Sequence, residues 1–215
     1  MLSLVIETTT GSYHQAVHDR VFTPAAMSGA EFVRTDDLPT DTALGYLENG
    51  RSNVFHLPVV GMGDGGAFLT LNDMTAFWDG FSSGCIVSLE SVAAMTSEVS
   101  KQDDTTSYGR GFWLVPGANH VWIEGIDAGV SFQSGMFRST DLRYSMLSNT
   151  SSGAWPLVKL ICDDMTQPTR LIAIWVRSRR ERQRLVTDDR GERGSFGVVH
   201  RTIPVDGSRR SRSPR

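Results

Sequence analysis

The sequence predicts an α+β fold, with helices first, an antiparallel sheet after them, and a last helix laid back on the sheet. Three observations predict it. An apolar stripe of helical period, Met74, Phe77, Trp78 and Phe81, follows a capping signal at Thr70 and stops at Gly84. From Tyr108 the period drops to two, in runs separated by "PGAN" and "RSTD" turns. After those runs "SGAWPLVKLI" returns to helical spacing, with Pro156 in the first turn where its missing N–H costs nothing.

Each element can be justified in order. Residues 1–10 are apolar at Leu2, Leu4, Val5 and Ile6, and Gly11 is their stop. The chain thus opens inside a helix, and Met1 reads as an arbitrary start with sequence missing before it. Ser12 caps a second helix with Tyr13, Ala16, Val17 and Val21 on one face, ended by Pro24. Residues 25–44 read as loop, and Asn49-Gly50 marks a hairpin turn. Thr70 with Asp73 approximates a capping box, and Ser88 caps "LESVAAM". Residues 96–107 read as polar loop. Four strands follow in a meander: "YGRGFWLV", "HVWIEG", "AGVSFQSGMF" and "LRYSMLSN".

The charge divides the chain in two. Residues 1–169 carry 8 basic and 19 acidic side chains, net -11, whereas residues 170–215 carry 13 and 5, net +8, with every basic residue an arginine. An acidic folded body and an Arg/Ser-rich tail over 163–215, expected to be disordered, account for this split. The tail could attract nucleic acid by charge alone, but it has no interleaved aromatic residues and no groove-binding motif, which argues against that partner. No stretch has a membrane-spanning length and no signal peptide is recognisable, so a cytoplasmic location without membrane contact is expected. Cys85 and Cys162 each sit in an apolar run and read as buried small hydrophobes.

Several motifs suggest chemistry that their context denies. "GMGDGG" spells Gly-x-Gly-x-x-Gly at Gly61, Gly63 and Gly66. A dinucleotide loop needs the helix to start at the last glycine, yet the cap places it at Thr70, and the sheet is not βαβ. The glycines instead read as a place where backbone passes close to backbone, and no cofactor is expected. "GFSSG" matches Gly-x-Ser-x-Gly, but Ser82 lies at a helix end and Gly84 is its αL stop. A hydrolase using Ser82 with His120 and Asp104 is the corresponding alternative. His14 and His18 are one turn apart, but Gln15 stands where a zinc protease needs Glu, so no metal is expected and both read as exposed histidines.

The ordered segments "GMGDGGAFLTLNDMTAFWDGF", "YGRGFWLV", "IEGIDAGVSF" and "SMLSNTSSGAWPLVKLI" resemble the beta-lactamase-related serine hydrolases, a family of class C beta-lactamases and penicillin-binding-protein-like peptidases and esterases. Gly65, Gly66, Thr70, Asp73 and Met74 match the segment that opens a helix near the active-site mouth. Tyr108, Gly109, Gly111 and Phe112 match a "YGxGF" strand, and Glu124, Gly125, Asp127, Gly129, Val130 and Ser131 fall at the third catalytic motif and the Gly-hydrophobic-Ser after it. The resemblance implies a partial beta-lactamase/transpeptidase-like fold over residues 1–162, the C-terminal part of the family domain. It places Glu124, Gly125 and Asp127 at the third-motif position and Gly65, Gly66, Gly129 and Ser131 along the substrate-binding wall. A full-length relative would take a small ester or amide.

The departures decide the expectation about activity. The family acylates the serine of Ser-x-x-Lys with help from Tyr-x-Asn. Three residues before Lys101 stands Glu98, and three before Lys159 stands Pro156, so no Ser-x-x-Lys exists here. Tyr13, Tyr46, Tyr108 and Tyr144 are followed two places on by Gln, Glu, Arg and Met, so Tyr-x-Asn is absent as well. The expectation is a truncated, inactive chain. A non-catalytic interaction domain, self-associating through exposed apolar surface, is the other alternative. Glu124 would repel a substrate carboxylate, which points to a neutral or cationic group in a full-length relative.

Overall fold

The computed structural model describes residues 1–115 and 119–165. The expected basic tail from residue 166 onward, and the first three residues of the "PGAN" turn, lie outside the described residues.

The helical part follows its capping signals. Helix α1 (Leu2–Thr10) ends at Gly11 with φ 85°, which a residue lacking Cβ adopts without strain. The Ser12 hydroxyl accepts from the Gln15 amide and starts α2 (Tyr13–Val17). The backbone then widens into one turn of π-helix over His18–Phe22, which the apolar spacing did not foretell. Helix α3 (Leu71–Ser83) carries a complete capping box between Thr70 and Asp73 and closes on Gly84 at φ 84°. Ser88 caps α4 (Leu89–Met95). The Asn49-Gly50 signal makes a tight turn with a single bridge, Tyr46 to Ser52, rather than two strands.

The sheet is an antiparallel meander of six strands in sequence order, β1 (Ser100–Lys101), β2 (Ser107–Tyr108), β3 (Trp113–Leu114), β4 (His120–Asp127), β5 (Val130–Phe137) and β6 (Leu142–Ser148). Two expectations are corrected. Residues 96–107 are not all loop, because β1 pairs with β2 across them. "YGRGFWLV" is not one strand but a hairpin, β2 and β3, which turns where Gly111 takes φ 96° and the Gly109 amide donates to the Phe112 carbonyl. Helix α5 runs from Trp155 to Met165, so the expected domain boundary at 162 falls inside it.

Two layers sandwich the sheet. On one face α3 buries Trp78 and Phe81 against Phe112, Leu114, Val121 and Met136. Burying such side chains contributes roughly 1.5–3 kcal/mol each. The Trp78 indole N–H donates to the Ser134 hydroxyl at 2.7 Å, which ties α3 to β5. On the other face Val158 and Ile161 of α5 pack on Phe137, Tyr144 and Met146. Side chains alternate along each strand, so His120, Trp122 and Glu124 of β4 face α5, whereas Val121, Ile123 and Gly125 face α3.

Candidate functional site

The third-motif position lies in the middle of β4, and its residues do not share a face. Glu124 points to the α5 side. Its Oε2 accepts from the Trp122 indole at 3.1 Å and from the Gln133 amide at 2.8 Å. Gly125 faces the other way, and a Cβ there would meet the Phe132 ring at 2.7 Å. Asp127 ends the strand on that same side, and its carboxylate accepts from the Ala128 amide at 2.7 Å.

Behind Glu124 runs a buried polar chain that the sequence did not reveal. The Tyr144 hydroxyl donates to Gln133 Oε1 at 2.5 Å, and His120 Nε2 lies 2.9 Å from the same hydroxyl. These partners settle the proton positions. Tyr144 donates to Gln133, so its oxygen accepts and His120 Nε2 must carry the proton. Burial holds His120 neutral, with its pKa lowered to about 4. Burial pushes the Tyr144 phenol up as well, with smaller contributions from the neighbouring Cys162 and Glu124. The Cys162 thiol of α5 is raised by burial, then by Asp163 and Glu124. Glu124 is exposed at the end of this chain, and among the described residues no Lys or Arg forms an ion pair with it.

Glu124 also borders a lateral row of aromatic side chains. Tyr108, Trp113 and Trp122 are register partners on β2, β3 and β4, and Trp122 partners Gly135, which partners Tyr144. Gly135 is the gap in the row. A Cβ there would stand 2.8 Å from the Tyr144 hydroxyl and 2.9 Å from Trp122 Cβ. Only the period-two pattern hinted at this row, because the cross-strand register that aligns it is set by the turns.

The other sequence-predicted positions gather in two further places. Gly129, with φ 69°, turns β4 into β5 and donates to the Ser151 hydroxyl at 2.9 Å. Ser131 is fully buried, donating to the Thr150 carbonyl at 2.8 Å and accepting from the Ala154 amide at 3.2 Å, so it locks β5 to the start of α5. Asn53, buried and missed by the sequence reading, donates to the Ala128 carbonyl at 2.9 Å and fastens the 45–53 turn to this end of the sheet. Gly65 and Gly66 sit in the glycine loop, where a Cβ on Gly66 would meet Gly61 Cα at 2.6 Å. The expected close passage of backbone past backbone is there. None of the hydrogen bonds of that loop reaches β4.

Two side-chain expectations are corrected. His14 is half-buried, its Nε2 2.7 Å from the Gly61 carbonyl and its ring against Phe32, so it anchors α2 to the glycine loop, while His18 is exposed as expected. Cys85 is exposed rather than buried, because the αL turn at Gly84 carries it out of the helix. Ser82 lines an open cleft of about 500 Å³ with Asp79, Ser83, Cys85 and Arg143. Its hydroxyl contacts Met136 sulfur, His120 is bonded to Tyr144, and Asp104 pairs with Lys101, so no relay joins the three. Among the described residues no cluster of His, Cys, Asp and Glu could hold a metal ion.

Comparison with known proteins bears on this arrangement. No family model matches the chain. The penicillin-binding protein of Bacillus halodurans superposes with a TM-score of 0.71 at 31% identity, covering 74% of this chain and 52% of its own. The chain belongs to the penicillin-binding-protein-like, beta-lactamase-related serine hydrolases. PbpX of Bacillus subtilis (strain 168), which carries a penicillin-binding-protein name, is 28% identical over 138 residues, 61% of this chain. An octameric penicillin-binding protein homologue from Pyrococcus abyssi shares the fold, with a TM-score of 0.61 at 20% identity over 75% of this chain and 40% of that one. The chain therefore spans about half the length of the first structure and 34% of PbpX. Among the described residues no helix is long and apolar enough to cross a membrane.

Proposed function

We propose that residues 1–162 supply the sheet and one wall of the pocket of a beta-lactamase-like serine hydrolase acting on esters or amides, and that this chain by itself performs no acyl-enzyme turnover. One observation carries the proposal: a serine attacks a carbonyl only when a neighbouring base takes its proton, and no serine here has the family's lysine. The chain has two lysines. Lys101 is paired with Asp104 at 2.8 Å, and Lys159 is exposed on α5. Among the described residues no serine hydroxyl is bonded to a lysine amine. The Arg-rich sequence that follows α5 is then a separate extension of the hydrolase part. Incubation with a fluorophosphonate probe, with nitrocefin and with p-nitrophenyl esters tests this. No covalent mass increase and no hydrolysis above buffer are expected, and stoichiometric labelling of any serine would overturn it.

A second reading, a module that associates with another protein surface, is favoured by α1. That helix buries none of its side chains and leaves Leu2, Leu4, Val5 and Ile6 exposed. Contiguous apolar surface of this kind marks an interface. Light scattering that reports a monomer at all concentrations, with no uptake of a hydrophobic dye, would remove it.

A further inference from the structure

We propose that Glu124 and the adjoining aromatic row form a binding subsite for an organic ammonium group carried on an apolar frame. The inference rests on the reading of β4 as a wall of the substrate space and names what that wall selects.

The carboxylate is pre-oriented. One oxygen, Oε2, is fixed by two N–H donors, Trp122 and Gln133, and Gln133 is itself held by the Tyr144–His120 chain. Among the described residues the other oxygen, Oε1, has no protein donor, and it belongs to an exposed side chain without a cationic partner. Holding the carboxylate in place before binding lowers the ordering cost that a flexible surface glutamate would incur.

The surroundings fit a cation and not an anion. Trp113 stacks on Trp122 at 6.3 Å between ring centroids and 15° between planes, and Tyr108 meets Trp113 edge-on at 4.9 Å. Trp113 and Tyr108 are half-buried, so ring surface stays in contact with solvent. Diagonal neighbours across a sheet lie about 7–8 Å apart, which brings Trp113 within reach of a group seated on Glu124. Aromatic faces attract ammonium groups through their quadrupole. Ile126, 65% exposed and two residues along the same face of β4, offers an apolar contact beside the carboxylate. A carboxylate ligand would be repelled by Glu124.

The experiment uses the full chain and three ligands of one shape: benzylammonium, benzyl alcohol and benzoate. Nuclear magnetic resonance follows the indole N–H signals of Trp113 and Trp122. Saturable shifts with benzylammonium, weaker ones with benzyl alcohol and none with benzoate are expected. Glu124→Gln keeps an acceptor for Gln133 and removes the charge, and should weaken benzylammonium about fivefold; Trp113→Leu should weaken it about threefold. Equal response to benzoate, unchanged binding in Glu124→Gln, or shifts that follow protein concentration rather than the amine, as a second copy on the patch would give, each overturn the inference. Absence of amine binding in a chain that stays unlabelled by fluorophosphonate defeats this inference alone, whereas labelling defeats the hydrolase reading whatever the amine does.

Discussion

His120 should make the protein lose stability between pH 6.5 and 4. Its ring is stacked between Phe137, 4.1 Å between centroids, and Trp122, 4.6 Å, with Tyr144 on Nε2 and no charged partner. Burial therefore favours the neutral ring and lowers the pKa from 6.5 to about 4. In the window between those values the unfolded chain binds a proton that the folded chain refuses, so stability rises with pH. The contribution is complete above about pH 6.5, falls as pH drops through the window, and is gone below about pH 4. At about 1.4 kcal/mol per pH unit it amounts to about 3 kcal/mol. The assay is urea unfolding followed by tryptophan fluorescence at pH 7, 5.5 and 4.5, on wild type and on His120→Gln, which keeps a donor for Tyr144. The wild type should lose most of this amount and the variant should show a flat profile. Asp73 has a lowered pKa, its burial outweighed by bonds from Thr70 and Gly29, so it acts only below the usual carboxylate range and does not mask the effect. A His120 ring signal titrating near 6.5, or an unchanged slope in His120→Gln, would refute the reasoning.

Further perturbations probe the same framework. Tyr144→Phe should cost about 2–4 kcal/mol in urea unfolding, because it leaves the His120 N–H and the Gln133 carbonyl oxygen buried without partners. Asp73→Ala removes the reciprocal cap of α3 and the acceptor for the Gly29 amide, and should lower stability by about 1–2 kcal/mol, seen as a reduced thermal midpoint. Gly135→Val places methyl groups where Trp122 and Tyr144 already stand, and should destabilise by about 1–3 kcal/mol, with a broadened Trp122 indole signal. Ser82→Ala should leave fluorophosphonate labelling and ester hydrolysis at the level of the unmodified chain, since no base reaches that hydroxyl.

What could be read from the sequence were local, covalently spaced signals. Ser12, Thr70 with Asp73, Ser88 and Gly84 each mark a helix end because a cap involves residues within four positions of one another. The meander from β4 to β6 was legible for the same reason: short turns join long alternating runs. The failures are places where a single backbone angle overrides composition. Gly111 at φ 96° folds one apparent strand into two, and the αL turn at Gly84 exposes a cysteine that hydropathy buries. His14 looked exposed because the carbonyl that holds it belongs to Gly61, 47 residues away.

The site was less legible than the fold because it depends on register. Glu124, Gly125 and Asp127 are neighbours in the sequence, and the resemblance assigns them to one motif, yet strand alternation sends Glu124 toward α5 and Gly125 toward α3. Had the β4–β5 turn been one residue longer, the slip would have turned Glu124 to the layer of Trp78, Phe81 and Met136, away from the Gln133 donor that now holds it. The left-handed Gly129 is therefore as much a determinant of the subsite as the residues that line it. It sets the pairing of Glu124 with Gln133, through Gln133 the orientation of the carboxylate, and so the sign of the charge that this wall of the sheet can accept.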